Sequence, residues 1–187
     1  MAAGVATEPK RWTYEDYYAL PDDQRYEVID GDLLPMAPSP GSSHAKFSRA
    51  LVRRLDSYVL SKGLGELLSA PLDVILDNEN IVQPDLVFVS ASRVDIIEER
   101  GVVGSPDLVM EILSPFSVRR DRQRKMRLYA QFGVKEFWII DPGNHGIEVF
   151  TLKSGAYQLL CKGLERGKIH SNVFALEFDV AEVIKQL

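Results

Sequence analysis

The sequence predicts an α/β (α+β) fold in which a mixed central β-sheet is flanked by helices and preceded by an N-terminal β-hairpin. Three observations lead there. PDLVMEIL (106–113) and EFWIID (136–141) are near-continuous apolar runs, the pattern of strands covered on both faces. Two stretches, around 43–62 and 117–132, carry apolar side chains at helical spacing. The order of elements is hairpin, helix, strands, helix, strands, with no repeat, linker or low-complexity tract to divide it. A length of 187 residues with 45% apolar content suits one domain spanning 1–187, in which residues 1–11 read as a flexible tail.

Taken in order, Thr13 and Asp16 have the spacing of an N-cap and its N3 partner, and Pro21 stops the pattern, so 13–19 reads as a short helix. YEVIDGDLLPM (26–36) has two alternating arms around Asp30-Gly31, a hairpin signal because both turn residues tolerate positive φ. APSPGSS (37–43) is irregular, with Ser42 or Ser43 placed to cap a helix whose apolar stripe is Phe47, Leu51, Leu55, Tyr58 and Val59. Lys62-Gly63 ends that helix. Residues 66–76 and 81–89 read as strands joined by the turn DNEN, and the charged segment 92–104 as a short helix plus a turn. After the strand at 106–113, a helix over 117–132 is closed by Gly133; IEVFTL (147–152) and AYQLLCK (156–162) then form a hairpin around Lys153-Ser154-Gly155.

Charge and composition narrow the function. With 22 basic and 27 acidic residues the net charge is −5, which excludes a polycation that coats nucleic acid indiscriminately. Yet six of the nine residues in 119–127 are Arg or Lys, so the basic charge is concentrated on one helix. The longest apolar run is far short of the roughly 20 residues of a membrane span, and the N-terminal segment lacks the apolar stretch of a secretory signal. A soluble, cytoplasmic protein is the expectation. Cys161 is alone, and His44, His145 and His170 are scattered, so any metal must be held by carboxylates.

Two carboxylates stand where the pattern asks for apolar side chains: Asp85 in IVQPDLVFV and Glu111 in DLVMEIL. Neither has a cation at its strand neighbours. Each therefore carries a desolvation cost of several kcal/mol unless it is paired or holds a metal. In strand geometry Gln83 shares the face of Asp85, and Leu113 shares that of Glu111. On the following helix, Val118, Asp121, Lys125, Tyr129 and Phe132 fall on one inward stripe, while Arg120, Arg124 and Arg127 fall on the opposite, solvated side. An ammonium among core anchors needs an anion, which Asp121 or the strand carboxylates can supply. Two carboxylates and a lysine are the parts required for metal-assisted phosphodiester hydrolysis: hard oxygen ligands suit Mg²⁺, and a lysine orients water or stabilises developing charge. A buried structural ion network is the alternative use of the same trio.

QPDLVFVS (83–90), PDLVMEILSPFS (106–117), the D-x-x-x-K-x-x-x-Y spacing of Asp121, Lys125 and Tyr129, and GVKEFWIIDP (133–142) together resemble the Uma-type endonuclease family, a branch of the PD-(D/E)XK restriction-endonuclease-like superfamily. YEVIDGDLLPM and SSHAKF resemble the N-terminal part of that family, and the likeness spans roughly residues 12–180. The resemblance implies a restriction-endonuclease-like core, Mg²⁺ as cofactor with Mn²⁺ as a substitute, DNA as substrate, and a homodimer as a possible assembly. It assigns Asp85 and Glu111 as metal ligands, with Glu27 completing the site, and Lys125 as the catalytic lysine. The superfamily pattern places lysine two residues after Glu111, where this chain has Leu113, so Lys125 stands as a relocated lysine. Gln83, Asp121, Tyr129 and His44 are supporting candidates, each with a plainer reading: a satisfied buried amide for Gln83, a surface residue of the first helical turn for His44, a packed aromatic for Tyr129. Glu27 is read equally well as a solvent-facing strand residue, and Asp73, opposite the Leu72 face, is read as exposed. Leu113 also sustains a second function, a catalytically silent nucleic-acid-binding or assembly module that keeps the nuclease fold.

Overall fold

The computed structural model describes residues 10–21, 24–36, 41–114 and 119–187, and for residues 119–121 the backbone. Thr13 caps α1 (Tyr14–Tyr18) through the expected reciprocal bonds with Asp16. β1 (Tyr26–Ile29) and β2 (Asp32–Pro35) follow as a hairpin, with φ of 53° at Asp30 and 76° at Gly31. The two positive angles are what select this Asp-Gly pair. α2 (Ser42–Lys62) buries Phe47, Ala50, Leu51, Leu55 and Val59 and ends at Gly63 in the left-handed conformation. Its N-cap is Gly41 without a side-chain cap bond; Ser42 and Ser43, expected to cap, are already helical.

The two long strands expected at 66–76 and 81–89 are each broken. The first divides into β3 (Gly65–Ser69) and β4 (Val74–Asp77), and the second into β5 (Asn80–Val82) and β6 (Leu86–Ser90). Pro71 and Pro84 lie at the breaks, where a residue without an N–H cannot continue a ladder. The consequence is a second sheet. β2-β1-β5-β4-β8-β7 form one, with β7 (Ile97–Glu98) and β8 (Gly101–Val103) arising from the charged segment after a 3₁₀ turn at Ala91–Ile96. β12-β11-β10-β9-β6-β3 form the other, from β9 (Leu108–Ile112), β10 (Glu136–Asp141), β11 (Gly146–Lys153) and β12 (Ala156–Leu164). Both sheets are mixed, each having one parallel pair, β4 with β8 and β9 with β10. α3 (Arg119–Gln131) precedes β10 and ends before Gly133. A ribbon of β13 (Lys168–Ser171) and β14 (Leu176–Asp179), then α4 (Val180–Ile184), close the described chain.

The second sheet is covered on both faces, which is why its strands read as continuous apolar runs. One face packs Leu86, Phe88, Met110 and Trp138 against α2 and α4. The other packs Val87, Val109, Phe137 and Ile139 against Leu128 and Tyr129 of α3 and against Val74, Val82 and Val102 of the first sheet. Among the described residues no helix is long and apolar enough to cross a membrane.

Candidate active site

β6 and β9 run antiparallel with Leu86 opposite Met110, so continuing the register by one step sets Asp85 beside Glu111. Asp85 is thus not inside a strand, as its apolar surroundings suggest, but in the bend before β6; its Oδ2 accepts from the Ile112 N–H at 2.7 Å. Glu111 lies on the face of β9 that carries Val109, the face turned toward α3. Lys125 reaches it from α3: its Nζ is 3.0 Å from Glu111 Oε1 and 2.7 Å from Glu27 Oε1. Tyr129, one turn on and fully buried, donates its hydroxyl to the same Glu111 oxygen at 2.8 Å. The inward stripe of α3 therefore carries the lysine into the site, and the packed tyrosine is also part of its network.

His44 is not a surface residue of the first turn of α2. Its Nε2 lies 3.0 Å from Asp85 Oδ1, and its side chain is 12% exposed. Glu27 is buried on β1 and also accepts from the backbone N–H of Gln83 at 2.9 Å. Gln83 is satisfied by side chains: its Nε2 donates to Asp73 at 2.8 Å and to the Tyr17 hydroxyl at 3.0 Å, and Arg25 donates to its Oε1. Asp73, expected to be exposed, accepts from both Tyr17 and Gln83. Arg124, expected on the solvated side of α3, instead clamps the β1–β2 hairpin through the Ile29 carbonyl and Asp32. Arg122 pairs with Glu148, so much of the basic charge of α3 is consumed within the molecule. The side chain of Asp121 lies outside the described residues.

The converged groups are net negative. Glu27 and Glu111 share one fixed cation, Lys125, while Asp85 stands beside Glu111 and pairs with His44. Burial pushes the Glu111 carboxyl up to about 7; Lys125 opposes this, and the charges of Asp85 and Glu27 add to it. Burial also works against the Lys125 charge, but Glu111 and Glu27 outweigh it and hold the ammonium protonated well above the ordinary lysine range. Burial and the neighbouring Glu111 raise the Tyr129 hydroxyl far above its usual value, which keeps it a donor.

Glu27, His44, Asp85, Glu111 and Lys125 line a cleft of about 980 Å³ together with Ile112, Leu113, Phe137 and Ile139, and with Arg25, Ser48, Arg49, Val52 and Arg53. Among the described residues no three His, Cys, Asp or Glu side chains form a ready metal cage. Mg²⁺ asks for less, typically one or two carboxylates with waters and substrate oxygens completing the shell. Asp85 and Glu111 offer two hard donors side by side, and Glu111 Oε2 has no hydrogen-bond partner among the described residues while its side chain is 17% exposed. The donor set fits such an ion.

Over residues 14–181 the chain matches the family model Uma2, described as "Putative restriction endonuclease". The chain belongs to the Uma2 family. A crystal structure from Anabaena variabilis, described as "a putative nuclease belonging to DUF820", superposes with a TM-score of 0.76 at 20% identity, covering 93% of this chain and 98% of that one. At that identity the likeness establishes a shared fold. No curated protein matches the sequence. Within the Uma2 fold, sequence reasoning missed Arg25, Arg49 and Arg53. The last two stand at i, i+4 spacing in SRALVRRLDS, which puts them on one side of α2, and both reach the cleft.

Proposed function

We propose that this chain is a metal-dependent endonuclease hydrolysing phosphodiester bonds of DNA. One observation carries the reading: in an arginine-lined cleft, Glu27 and Glu111 converge on one largely buried lysine, and a third carboxylate, Asp85, stands beside Glu111. An excess of buried negative charge beside one cation is costly as a structural feature and well suited to a divalent ion. Asp85 and Glu111 would hold Mg²⁺, or Mn²⁺, which supplies charge neutralisation at the phosphate and a lowered pKa for bound water.

The protein's own groups divide the remaining work. His44 and the Ile112 N–H fix the two oxygens of Asp85. Tyr129 fixes Glu111 from the helix side. Lys125 has three N–H donors; Glu27 and Glu111 engage two, and the third points its charge at whatever occupies the cleft, orienting the attacking water or stabilising charge that develops on the phosphate. In this reading Glu27 positions the lysine, since its Oε1 is committed to Lys125 and the Gln83 N–H. Leu113, Phe137 and Ile139 give the floor an apolar lining that strengthens each of these electrostatic terms.

The test is cleavage of plasmid DNA by purified protein. Nicking that requires Mg²⁺ or Mn²⁺ and disappears in Asp85→Ala is the expected result; activity in chelator, or an active Asp85→Ala variant, overturns the reading. Leu113 in place of the usual lysine favours one other reading, a silent binding module, and DNA binding without cleavage under every metal would select it.

A further inference from the structure

The cleft holds cations that the hydrolytic site does not use. Arg49 and Arg53 lie one turn apart on α2, both exposed and both lining the cleft, and neither has a carboxylate partner among the described residues. Arg25, preceding β1, also lines it; its hydrogen bonds go to the neutral amide oxygen of Gln83, and it has no carboxylate partner among the described residues. The neighbouring cations already have carboxylate partners: Lys125 in Glu27 and Glu111, Arg122 in Glu148, and Arg54, adjacent in sequence to Arg53, in Glu182 at 3.0 Å. In a chain of net charge −5, three arginines on one cleft, without carboxylate partners among the described residues, need an external anion more than a structural account.

Their placement along α2 indicates which anion. His44, at the start of the helix, touches Asp85. At 1.5 Å per residue, Arg49 and Arg53 stand about 8 and 14 Å further along the axis, and about 6 Å from each other, close to one nucleotide step of an extended strand. Guanidinium groups bind phosphate oxygens through a planar fork of donors. We infer that Arg49 and Arg53, with Arg25 from β1, bind successive backbone phosphates of one nucleic-acid strand whose scissile phosphate lies over Asp85 and Glu111. The inference rests on the nuclease reading and adds to it a backbone track on α2. Such contacts fix register without reading bases, so the track is indifferent to sequence.

The probes are fluorescein-labelled single-stranded and duplex oligodeoxynucleotides, titrated by anisotropy in chelator at several salt concentrations so that binding is separated from cleavage. Loss of two phosphate contacts in Arg49→Ala/Arg53→Ala lowers the slope of log K against log salt by about 1.4 on the single strand or about 1.8 on duplex. The same variant raises KM and leaves kcat in place, because both residues act on substrate position. Arg49→Lys/Arg53→Lys keeps the slope. Lys46→Ala, on the same helix but off the cleft, leaves it unchanged, and all variants melt with the wild type. A double alanine variant with the wild-type slope, or a Lys46→Ala variant that loses as much as Arg53→Ala, overturns the track. Wild-type protein that binds neither probe defeats the nuclease reading along with it, whereas wild type that binds and cleaves beside an unaltered double variant defeats the track alone.

Discussion

Lys125 Nζ and Glu111 Oε1 stand 3.0 Å apart although 14 positions separate them in the chain and α3 and β9 are different elements. Two residues after Glu111, on the same strand face, stands Leu113, and the cation beside Glu111 comes instead from the helix packed above that face. The buried Tyr129, one turn later on α3, donates to the same Glu111 oxygen, which ties the carboxylate that Lys125 meets to the packing of the core.

Removing that charge tests the coupling. Lys125→Ala leaves Glu27 and Glu111 facing each other with no cation between them. Cleavage is expected to fall by about 10²-fold or more, and metal-free stability by about 3 kcal/mol. Mg²⁺ or Mn²⁺ should restore part of the stability but not the rate. Urea unfolding with and without metal, beside single-turnover cleavage, checks both; unchanged stability shows that the pair is not energetically coupled.

Glu111 sets a pH dependence. Its carboxyl is raised from 4.5 to about 7, so the contribution of this group to metal-free stability is fully present below about 4.5 and is lost as pH rises through about 7. Metal binding requires the ionised form and has the opposite sense: affinity rises with pH over the same window, with release of a proton. Calorimetric titration with Mn²⁺ near pH 6 in two buffers of different ionisation enthalpy measures that proton. Absence of proton release, or affinity flat across the window, removes Glu111 from the ligand set.

His44→Ala frees one oxygen of Asp85 from its 3.0 Å partner. Partners that orient a metal ligand are typically worth 10–100-fold in affinity or activity. The expected outcome is about tenfold weaker Mn²⁺ binding with the fold intact, and the readouts are a metal titration and a thermal melt. Wild-type metal affinity in the variant assigns His44 to helix packing instead.

Glu136 is a buried carboxylate away from the cleft. It accepts from Trp138 Nε1 at 3.0 Å, Ser171 Oγ at 2.8 Å and the Val173 N–H at 3.0 Å, joining β10 to the β13–β14 ribbon. Glu136→Ala strands those donors, each at about 1–3 kcal/mol. A stability loss of at least about 3 kcal/mol with unchanged specific activity of the folded fraction is expected. Selective loss of activity at full stability contradicts the purely structural assignment.

The sequence by itself determined the elements whose cause is local or periodic. Thr13 with Asp16, Asp30-Gly31, Gly63 and the apolar runs of β9 and β10 dictate caps, turns and double-sided burial through short-range chemistry, and these lie where the pattern places them. An out-of-place carboxylate in an apolar run was equally legible, which is why Asp85 and Glu111 stood out, and helical geometry picked out Lys125. Glu136 escaped because it opens its run rather than interrupting it. Only the tertiary structure decided who meets whom. Pro71 and Pro84 split two long strands and so created the separate sheet β2-β1-β5-β4-β8-β7, whose edge hairpin brings Glu27 to Lys125. Docking of α2 turned a first-turn histidine onto Asp85, and the same docking left Arg49 and Arg53 on the cleft while Arg122 and Arg124 were neutralised. Those outcomes depend on distances between segments far apart in the chain, and the free energy of a charge is fixed by the partners and solvent that packing leaves around it, which local sequence does not encode.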